Sequence, residues 1–347
     1  MANIISLSNQ IMQNQYDIDE DQGVVSTAAT RSGKIISKLF SKNFIILALV
    51  LAAGILLYRQ YVIDIQTAAT QQHLSQFTAI PGANYFKESR PQISIGAHKK
   101  VPHAVLMLHG YSGSTFEWNN LAAGLKKAGI PYYAPLMTGY GLNNFRLLNN
   151  VSAADWLRDA EMAYQVLAGF ADEVSVIGHS TGANLAIHVA SRYPVKHLVL
   201  SGPNLYPAAS DGWVKKLATM PIVGGIIEFI HPIFAKPVRP GRVFSVDTLN
   251  PAMARNTLTY PSMPSSTLKE LYAVQDSSDL TRTKFQDLTV IFGEKDLTVD
   301  TAGALDYLKR ENISYQVKSF ANSAHNVFQD YEYKDVVKYT VKTLSAE

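Results

Sequence analysis

A serine between two glycines is the feature that most constrains how this chain can fold. The sequence Gly178-His179-Ser180-Thr181-Gly182 follows the apolar run Val174–Ile177 and precedes a helix-like stretch that begins at Asn184. If the apolar run is a strand, these five residues must turn sharply from strand to helix. Such a turn strains the serine backbone, and small residues on both sides let the strand and the helix approach. The stretch therefore predicts a turn that projects the Ser180 hydroxyl above a sheet edge.

From about residue 85 onward, short apolar runs alternate with helix-like stretches. The runs are mostly β-branched or aromatic, and several are apolar throughout, as expected of strands buried on both faces. The predicted strands are residues 104–108, 131–135, 174–177, 197–200, 288–292 and 315–320, and the predicted helices are 119–128, 152–168 and 184–192. This alternation predicts a doubly wound, mostly parallel α/β sheet.

The alternation stops between Gly202 and about Asp287, which predicts an inserted helical cap at about 203–287. The insertion contains several prolines, an apolar segment at 221–234 and an amphipathic segment at 265–274. Its apolar side chains could line an acyl pocket, pack the cap onto the sheet, or dip into a bilayer, and their spacing does not separate these uses. They are Ile222, Val223, Ile226, Ile227, Phe229, Ile230, Ile233 and Phe234.

The first 65 residues differ from the rest of the chain. The run Phe44–Tyr58 carries no charge and would form a helix of about 22 Å, shorter than the hydrocarbon core of about 30 Å. Neighbouring apolar residues lengthen the run, and Lys42 and Arg59 can extend their charges to the two interfaces. We therefore predict a disordered tail over 1–38, a transmembrane anchor over 39–65 and a globular domain over 66–347.

Other interpretations of the apolar run are weaker than an uncleaved anchor. A cleaved signal peptide normally begins nearer the N-terminus. The L-A-A-G at 51–54 resembles a lipoprotein cleavage box, but no cysteine follows it. A buried core helix is less natural because the run has no polar face and has basic residues on its flank.

The charges around the run predict its orientation. One basic residue, Arg59, follows closely, whereas four precede it: Arg31, Lys34, Lys38 and Lys42. The positive-inside rule therefore predicts a single-pass protein with residues 66–347 on the non-cytoplasmic side. The simplest location is a bacterial inner membrane, with the domain facing the periplasm.

Composition excludes several classes of function. The net charge of +3 is small, and no dense basic stripe is interleaved with aromatic residues, so nucleic acid is not an expected partner. The chain contains no cysteine, which excludes disulfides, thiolate metal sites and a cysteine nucleophile. No acidic or histidine residues show metal-ligand spacing, and no glycine-rich segment forms a phosphate cradle, so neither a metal nor a cofactor is expected.

The chemistry of a serine nucleophile directs attention to two later residues. A serine hydroxyl is a poor nucleophile unless an adjacent base, itself held by an acid, takes its proton. After a turn of this kind the acid and then the histidine are expected to follow later strands. Asp296 and His325 do so in that order. The predicted catalytic residues are therefore Ser180, Asp296 and His325, with Asp300 as a nearby competitor for the acid.

The developing negative charge of such a reaction also needs positioned donors. One is expected from the backbone N–H of Thr181, directly after the serine, and the other from the backbone N–H of Tyr111, in the loop after strand 104–108. His109 and His179 flank the site without an obvious proton to transfer, so we expect supporting or packing roles. Ser112 lies in a similar glycine context but before the wrong element, which predicts a loop residue.

Four motifs, in the order L-H-G-Y-S-G-S, G-H-S-T-G, G-E-K-D and S-A-H-N, resemble those of the α/β-hydrolase superfamily. Gly139-Tyr140-Gly141 followed by Asp155-Trp156 is similar to its carboxylesterase and monoacylglycerol lipase branch, in which a Gly-His-Gly turn precedes an Asp-Trp helix. Here Tyr140 replaces the histidine. The resemblance covers roughly residues 95–345 and implies the fold and the triad, but it does not specify the substrate.

The sequence as a whole predicts a membrane-anchored serine hydrolase that cleaves carboxylic esters with an apolar acyl chain through an acyl-enzyme. Its expected partners are a small-molecule or lipid ester, such as a monoacylglycerol, and a membrane that holds the N-terminal helix. An amidase, a peptidase or an acyltransferase would use the same triad and remains an alternative. A non-catalytic binding protein on this fold is a further alternative, which the intact triad disfavours.

Overall fold

The computed structural model describes residues 42–95 and 100–345, so the predicted tail over 1–38 lies outside the described residues. The chain divides into two compact units, with the boundary after Leu57. Helix α1 (Lys42–Leu74) begins in the first unit and is long and apolar enough to cross a membrane. Its later part belongs to the second unit and buries Val62 and Thr70. The helix therefore continues beyond residue 65, where the anchor was predicted to end.

The second unit is built on a mostly parallel sheet. Its strands, and those of a small cap ribbon, are β1 (Gln92–Ser94), β2 (Val101–Leu108), β3 (Tyr132–Ala134), β4 (Ala171–His179), β5 (Val195–Ser201), β6 (Ile233–Ala235), β7 (Ser262–Pro264), β8 (Phe285–Gly293) and β9 (Gln316–Phe320). In the described part of the chain, a seven-stranded sheet has the order β1-β3-β2-β4-β5-β8-β9. Only β1 runs antiparallel to its neighbour within that sheet. The predicted parallel α/β sheet is confirmed, and β1 is an additional edge strand.

Helices cover both faces of this sheet. They are α2 (Asn119–Lys127), α3 (Ala153–Phe170), α4 (Thr181–Arg192), α5 (Gly212–Thr219), α6 (Pro221–Ile230), α7 (Pro251–Asn256), α8 (Ser266–Asp276), α9 (Thr301–Arg310) and α10 (Tyr333–Leu344). Side chains of β2 alternate between two apolar clusters, as the period of a strand requires. Leu106 packs in a cluster with Trp156 of α3, whereas Met107 packs in a cluster with Leu121 of α2. The sheet is therefore doubly wound, as predicted.

The segment between β5 and β8 contains helices α5 to α8 and a two-stranded ribbon. In the ribbon β6 and β7 are antiparallel, with Ile233 opposite Pro264. The sequence predicted helices here but not the ribbon. Strands of three residues are too short to show the alternation by which a strand is recognised.

Candidate active site

The backbone geometry of Ser180 matches the sharp turn expected from the sequence. Its φ of 55° and ψ of −121° are strained for a residue with a side chain. A Cβ on Gly178 would lie 2.0 Å from the carbonyl oxygen of Gly182, and one on Gly182 would lie 2.0 Å from that of Leu108. Both glycines are therefore required for the close approach of strand and helix. Helix α4 begins at Thr181, earlier than the predicted start, because the turn is this tight.

Asp296 and His325 form a hydrogen-bonded pair. The Nδ1 atom of His325 lies 2.7 Å from Oδ2 of Asp296, and both side chains are buried. The other carboxylate oxygen of Asp296 accepts backbone N–H groups from Thr298 at 2.8 Å and Val299 at 3.2 Å. Asp300, the alternative acid, caps the N-terminus of α9. The structure therefore brings together the predicted acid and base. Asp300 instead accepts a hydrogen bond at the start of a helix.

The electrostatics of this pair favour its charged form. Burial alone would raise the pKa of Asp296, but the charge and hydrogen bond of His325, together with two backbone N–H donors, lower it overall. Burial likewise acts to lower the pKa of His325, but the neighbouring Asp296 carboxylate outweighs it and raises that pKa above its ordinary value. His325 is therefore a stronger base than a free imidazole, and Asp296 remains ionised beside it.

Ser180 and His325 line one cavity of about 510 Å³. Among the described residues, Nε2 of His325 is buried and has no hydrogen-bond partner. The Ser180 hydroxyl is therefore not bonded to it in this structure, although catalytic hydrogen bonds of this kind often tighten only when substrate binds. An imidazole with one nitrogen held by a carboxylate and the other free can accept a proton from a group in the cavity.

The loop after β2 carries one of the two predicted backbone donors. A Cβ on Gly110 would lie 3.2 Å from Cβ of Ser180, so this loop passes directly against the serine. In the described part of the chain the Tyr111 N–H donates to no backbone carbonyl, and Thr181 is the first residue of α4, where N–H groups lack intrahelical acceptors. Both donors are thus available, and their role in holding an oxyanion remains a prediction.

His109 and His179 have contacts that fit their expected supporting roles. His109 Nε2 accepts the backbone N–H of Met137 at 3.1 Å, and its Nδ1 lies 3.0 Å from the carbonyl oxygen of Gly110. A neutral imidazole with its proton on Nδ1 satisfies both contacts. His179 Nε2 lies 3.1 Å from the carbonyl oxygen of His325. Each ring therefore supports a loop of the site.

The cap contributes an aspartate that the sequence did not indicate. Asp247 accepts hydrogen bonds from the Leu297 N–H and the Thr298 hydroxyl, both at 2.9 Å, next to the predicted acid. Its backbone carbonyl accepts the N–H of Asn326 at 3.0 Å, next to the predicted base. The buried Arg242 guanidinium, at 2.6 Å, neutralises the carboxylate. Asp247 therefore holds the acid loop and the histidine loop in one arrangement.

Two further buried acids hold loops of the site. Glu117 accepts the N–H of Gly110 at 2.9 Å. Asp330 accepts the N–H of Ala324 at 2.8 Å, beside His325, and that of Leu249 in the cap at 2.9 Å. No local pattern marks either residue, because a lone carboxylate in a sequence does not show which backbone groups it will meet.

The apolar wall of the cavity comes from parts of the cap other than α6. Of the apolar cap residues singled out in the sequence, Phe234 lines the cavity, and Ile233 is buried. On α6, in contrast, Ile222 is 78% exposed, and Ile226 and Phe229 are also exposed. The wall is formed instead by Trp213, Val214, Leu258, Leu268, Leu271 and Tyr272. Across the described residues no cluster of three or more His, Asp or Glu side chains could hold a metal ion.

Comparison with known proteins agrees with the fold. The family model described as serine aminopeptidase, S33, matches residues 99–332. A thermostable monoacylglycerol lipase from Bacillus sp. (strain H-257) is 28% identical over 93 residues, which are 27% of this chain and 37% of that protein. The chain therefore matches little more than a third of the length of this curated relative.

Solved structures share the architecture, and two of them serve as examples. One, from a description of the metagenome-derived lipolytic enzymes LipS and LipT, has a TM-score of 0.59 at 20% identity and covers 77% of this chain and 99% of its own. A soluble variant of monoglyceride lipase from Saccharomyces cerevisiae, in complex with a substrate analogue, has a TM-score of 0.58 at 14% identity and covers 78% and 94%. These likenesses concern the fold. The family match over residues 99–332 shows that this chain belongs to the serine aminopeptidase S33 family of α/β hydrolases.

Proposed function

We propose that this protein is a serine hydrolase that cleaves carboxylic esters with an apolar acyl part, monoacylglycerols among them. The observation that carries the proposal is the state of His325, whose Nδ1 is held by Asp296 while its buried Nε2 has no partner among the described residues. This base lines the same cavity as the strained Ser180. Monoacylglycerol lipases among the similar proteins support the substrate class.

In the first half-reaction the Ser180 oxygen bonds to the ester carbonyl carbon while its proton passes to Nε2 of His325. The carbonyl oxygen becomes an oxyanion, which accepts hydrogen bonds from the N–H groups of Tyr111 and Thr181. When the ester C–O bond breaks, the leaving alcohol takes the proton back from His325. Asp296 orients the imidazole and stabilises its charged form throughout.

In the second half-reaction water replaces the alcohol. His325 takes a proton from water as its oxygen bonds to the acyl carbon, and the bond to Ser180 then breaks with return of the proton to the serine. The products are a carboxylic acid and the free enzyme. No cofactor takes part in this sequence of steps.

The test is labelling of the detergent-solubilised full chain with a fluorescent fluorophosphonate, followed by hydrolysis of an ester series of increasing chain length. Ser180→Ala and His325→Ala, each checked for folding by circular dichroism, serve as controls. Labelling of the parent protein and its loss in both variants supports the proposal. A folded parent protein that neither labels nor cleaves any ester would contradict it and favour a non-catalytic binding protein.

A peptidase is the second candidate, because the matching family is described as serine aminopeptidase. The same Ser180 and His325 would serve an amide, so the substrates themselves must decide. Competition between a 4-nitrophenyl ester and aminoacyl 4-nitroanilides separates the two activities. Added acceptor alcohols in the ester assay would reveal an acyltransferase by formation of a new ester.

We also propose that α1 anchors the protein as a single membrane span, with the hydrolase unit on the non-cytoplasmic side of a bacterial inner membrane. The length and apolarity of α1 support the span, and the basic residues Arg31, Lys34, Lys38 and Lys42, which precede its apolar run, support the orientation. Alkaline phosphatase fused to the C-terminus should be active in bacterial cells, and green fluorescent protein fused there should be dark. An inactive phosphatase together with a fluorescent protein would indicate the opposite orientation.

A further inference from the structure

Lys236, which lines the cavity, has no anionic partner among the described residues. Lys236 follows strand β6, and its backbone N–H donates to the carbonyl oxygen of Pro261 at 2.8 Å, so the ribbon fixes where its side chain starts. The side chain is partly buried and lines the same cavity as Ser180. Lys236 therefore belongs to the wall that a substrate meets.

The contacts of this ammonium are neutral. Nζ of Lys236 donates to Oγ of Ser112 at 2.6 Å and to Oγ1 of Thr259 at 3.2 Å. No carboxylate of the described residues forms an ion pair with it. An ammonium has three N–H donors, so one remains for another group.

The acids that border the cavity are engaged elsewhere. Asp211 pairs with Arg239, and Asp247 pairs with Arg242. Glu117 accepts the Gly110 N–H. None of the three forms an ion pair with Lys236, so its ammonium has no counter-charge from the described residues.

A cation in this setting is costly for the protein alone. Removing an ammonium from water without an opposite charge disfavours its charged form. Burial accordingly lowers the pKa of Lys236 to about 7. An anion placed beside it would restore the charged form and gain a charge-assisted hydrogen bond, which is stronger than a neutral one. His73, the nearby titratable group on α1, carries no negative charge and cannot supply that partner.

We propose that Lys236 binds an anionic group of the substrate, a carboxylate or a phosphate, while the ester lies at Ser180. The proposal rests on the proposed function and narrows it from esters in general to esters that carry a negative charge. Ser112 connects the two sites, because it contacts Lys236 and directly follows Tyr111. The apolar wall formed by residues such as Trp213 and Leu271 accommodates the remainder of an amphipathic molecule.

Two matched pairs of esters test this inference and locate the anion. The first pair places it on the acyl part: 4-nitrophenyl hydrogen octanedioate against its methyl ester. The second places it on the alcohol part: 1-dodecanoylglycerol 3-phosphate against 1-dodecanoylglycerol. We expect the full chain to cleave the anionic member of at least one pair with a kcat/KM about 10- to 100-fold above the neutral member.

Lys236→Met keeps most of the length of the side chain and removes its charge. It should lower kcat/KM for the preferred anionic ester by about 10- to 100-fold and leave the neutral ester within about threefold. Lys236→Arg should retain most of the preference. Lys269→Met removes an exposed lysine of α8 that pairs with Glu228, and it should leave all four rates unchanged.

Two outcomes would overturn the inference. One is the absence of a charge preference in both pairs. The other is an equal loss on anionic and neutral esters in Lys236→Met, which would assign Lys236 to positioning the loop of Tyr111 instead.

A binding measurement separates failure of this inference from failure of the proposed function. Calorimetry on the Ser180→Ala chain should give a dissociation constant for the preferred anionic ester at least about tenfold below that of its neutral partner. The difference should vanish when Lys236→Met is added. If no ester is cleaved but an anionic ester still binds more tightly than its neutral partner, the anion site stands and the hydrolase proposal fails. If esters are cleaved but the anionic and neutral esters bind equally well, the hydrolase proposal stands and the anion site fails.

Discussion

The loops at the carboxyl ends of the sheet strands and the inserted cap border the same cavity, but they hold their side chains in different ways. In the turn after β4, position is set by backbone sterics: Ser180 has a φ of 55°, and Gly182, at the start of α4, has no room for a Cβ. In the cap, position is set by pairs of side chains such as Arg242 with Asp247, and one helix face is left exposed. We therefore expect substitutions in this turn to abolish function and those in the cap to have graded effects.

The largest expected effect comes from Asp296→Asn. Loss of the carboxylate should lower kcat about 10³- to 10⁴-fold, because the imidazole loses both its orientation and the charge that stabilises its protonated form. Folding should persist, since asparagine has nearly the same shape. Steady-state ester hydrolysis measures the loss, and Asp300→Asn is the matched control. Equal losses in both variants would contradict the assignment of Asp296 as the acid.

The pH dependence of activity gives a second test of the assignment of Asp296. His325 must be neutral to accept a proton, and its pKa is raised although burial acts to lower it, because the Asp296 charge prevails. Activity should therefore fall as the pH drops through a value above the ordinary one for histidine. In Asp296→Asn the raising charge is absent, so the residual activity should persist to lower pH. A profile of kcat/KM against pH that keeps its acid limb in this variant would show that another group titrates.

Gly182→Ala should come next in size. The added Cβ would lie 2.0 Å from the backbone oxygen of Leu108, which cannot move aside as a side chain could. We expect a loss of about 3 kcal/mol or more in the free energy of unfolding and loss of fluorophosphonate labelling. Gly225→Ala on α6 of the cap is the control, because nothing lies within 4 Å of its added Cβ. It should keep activity and stabilise the protein by up to about 1 kcal/mol, as urea unfolding can show.

Two ion pairs of the cap should differ from each other. Asp247→Asn leaves Arg242 buried without a counter-charge, since their side chains are only 4% and 5% exposed. We expect a loss of about 3 kcal/mol in stability and about tenfold in kcat as the loops of Asp296 and His325 shift. Asp211→Asn affects the more exposed pair with Arg239 and should cost about 1 kcal/mol or less. Similar losses of stability and kcat in both variants would contradict the role of Asp247 in holding the loops of Asp296 and His325.

The smallest effect is expected on the outer face of α6. Ile222 is mostly exposed, so Ile222→Ser should change the free energy of unfolding by no more than about 0.5 kcal/mol. Hydrolysis of a water-soluble ester should also be unchanged, because this residue does not line the cavity. Ile177→Ser, in the buried strand β4, is the contrasting variant and should prevent folding. A large loss in Ile222→Ser would mean that α6 has a structural partner.

Several features of the fold and site were predictable because they depend on residues close together in the sequence. The strand–turn–helix around Ser180 follows from local sterics, and the parallel sheet follows from the alternation of apolar runs with helical stretches. The pairing of Asp296 with His325 could be anticipated because both follow strands whose carboxyl ends meet at one edge. Short elements were missed, among them the ribbon of β6 and β7, whose strands hold three residues each.

By itself, the sequence determined the hydrolase fold, the strained serine and the order of the predicted acid and base, because chain order and backbone sterics specify these. Only the tertiary structure decided that Asp247 joins two loops and that Lys236 lines the cavity without an ion-pair partner among the described residues. These facts depend on which distant groups lie within hydrogen-bond distance of one another. That proximity is set by how the cap packs on the sheet, which spacing along the chain does not encode.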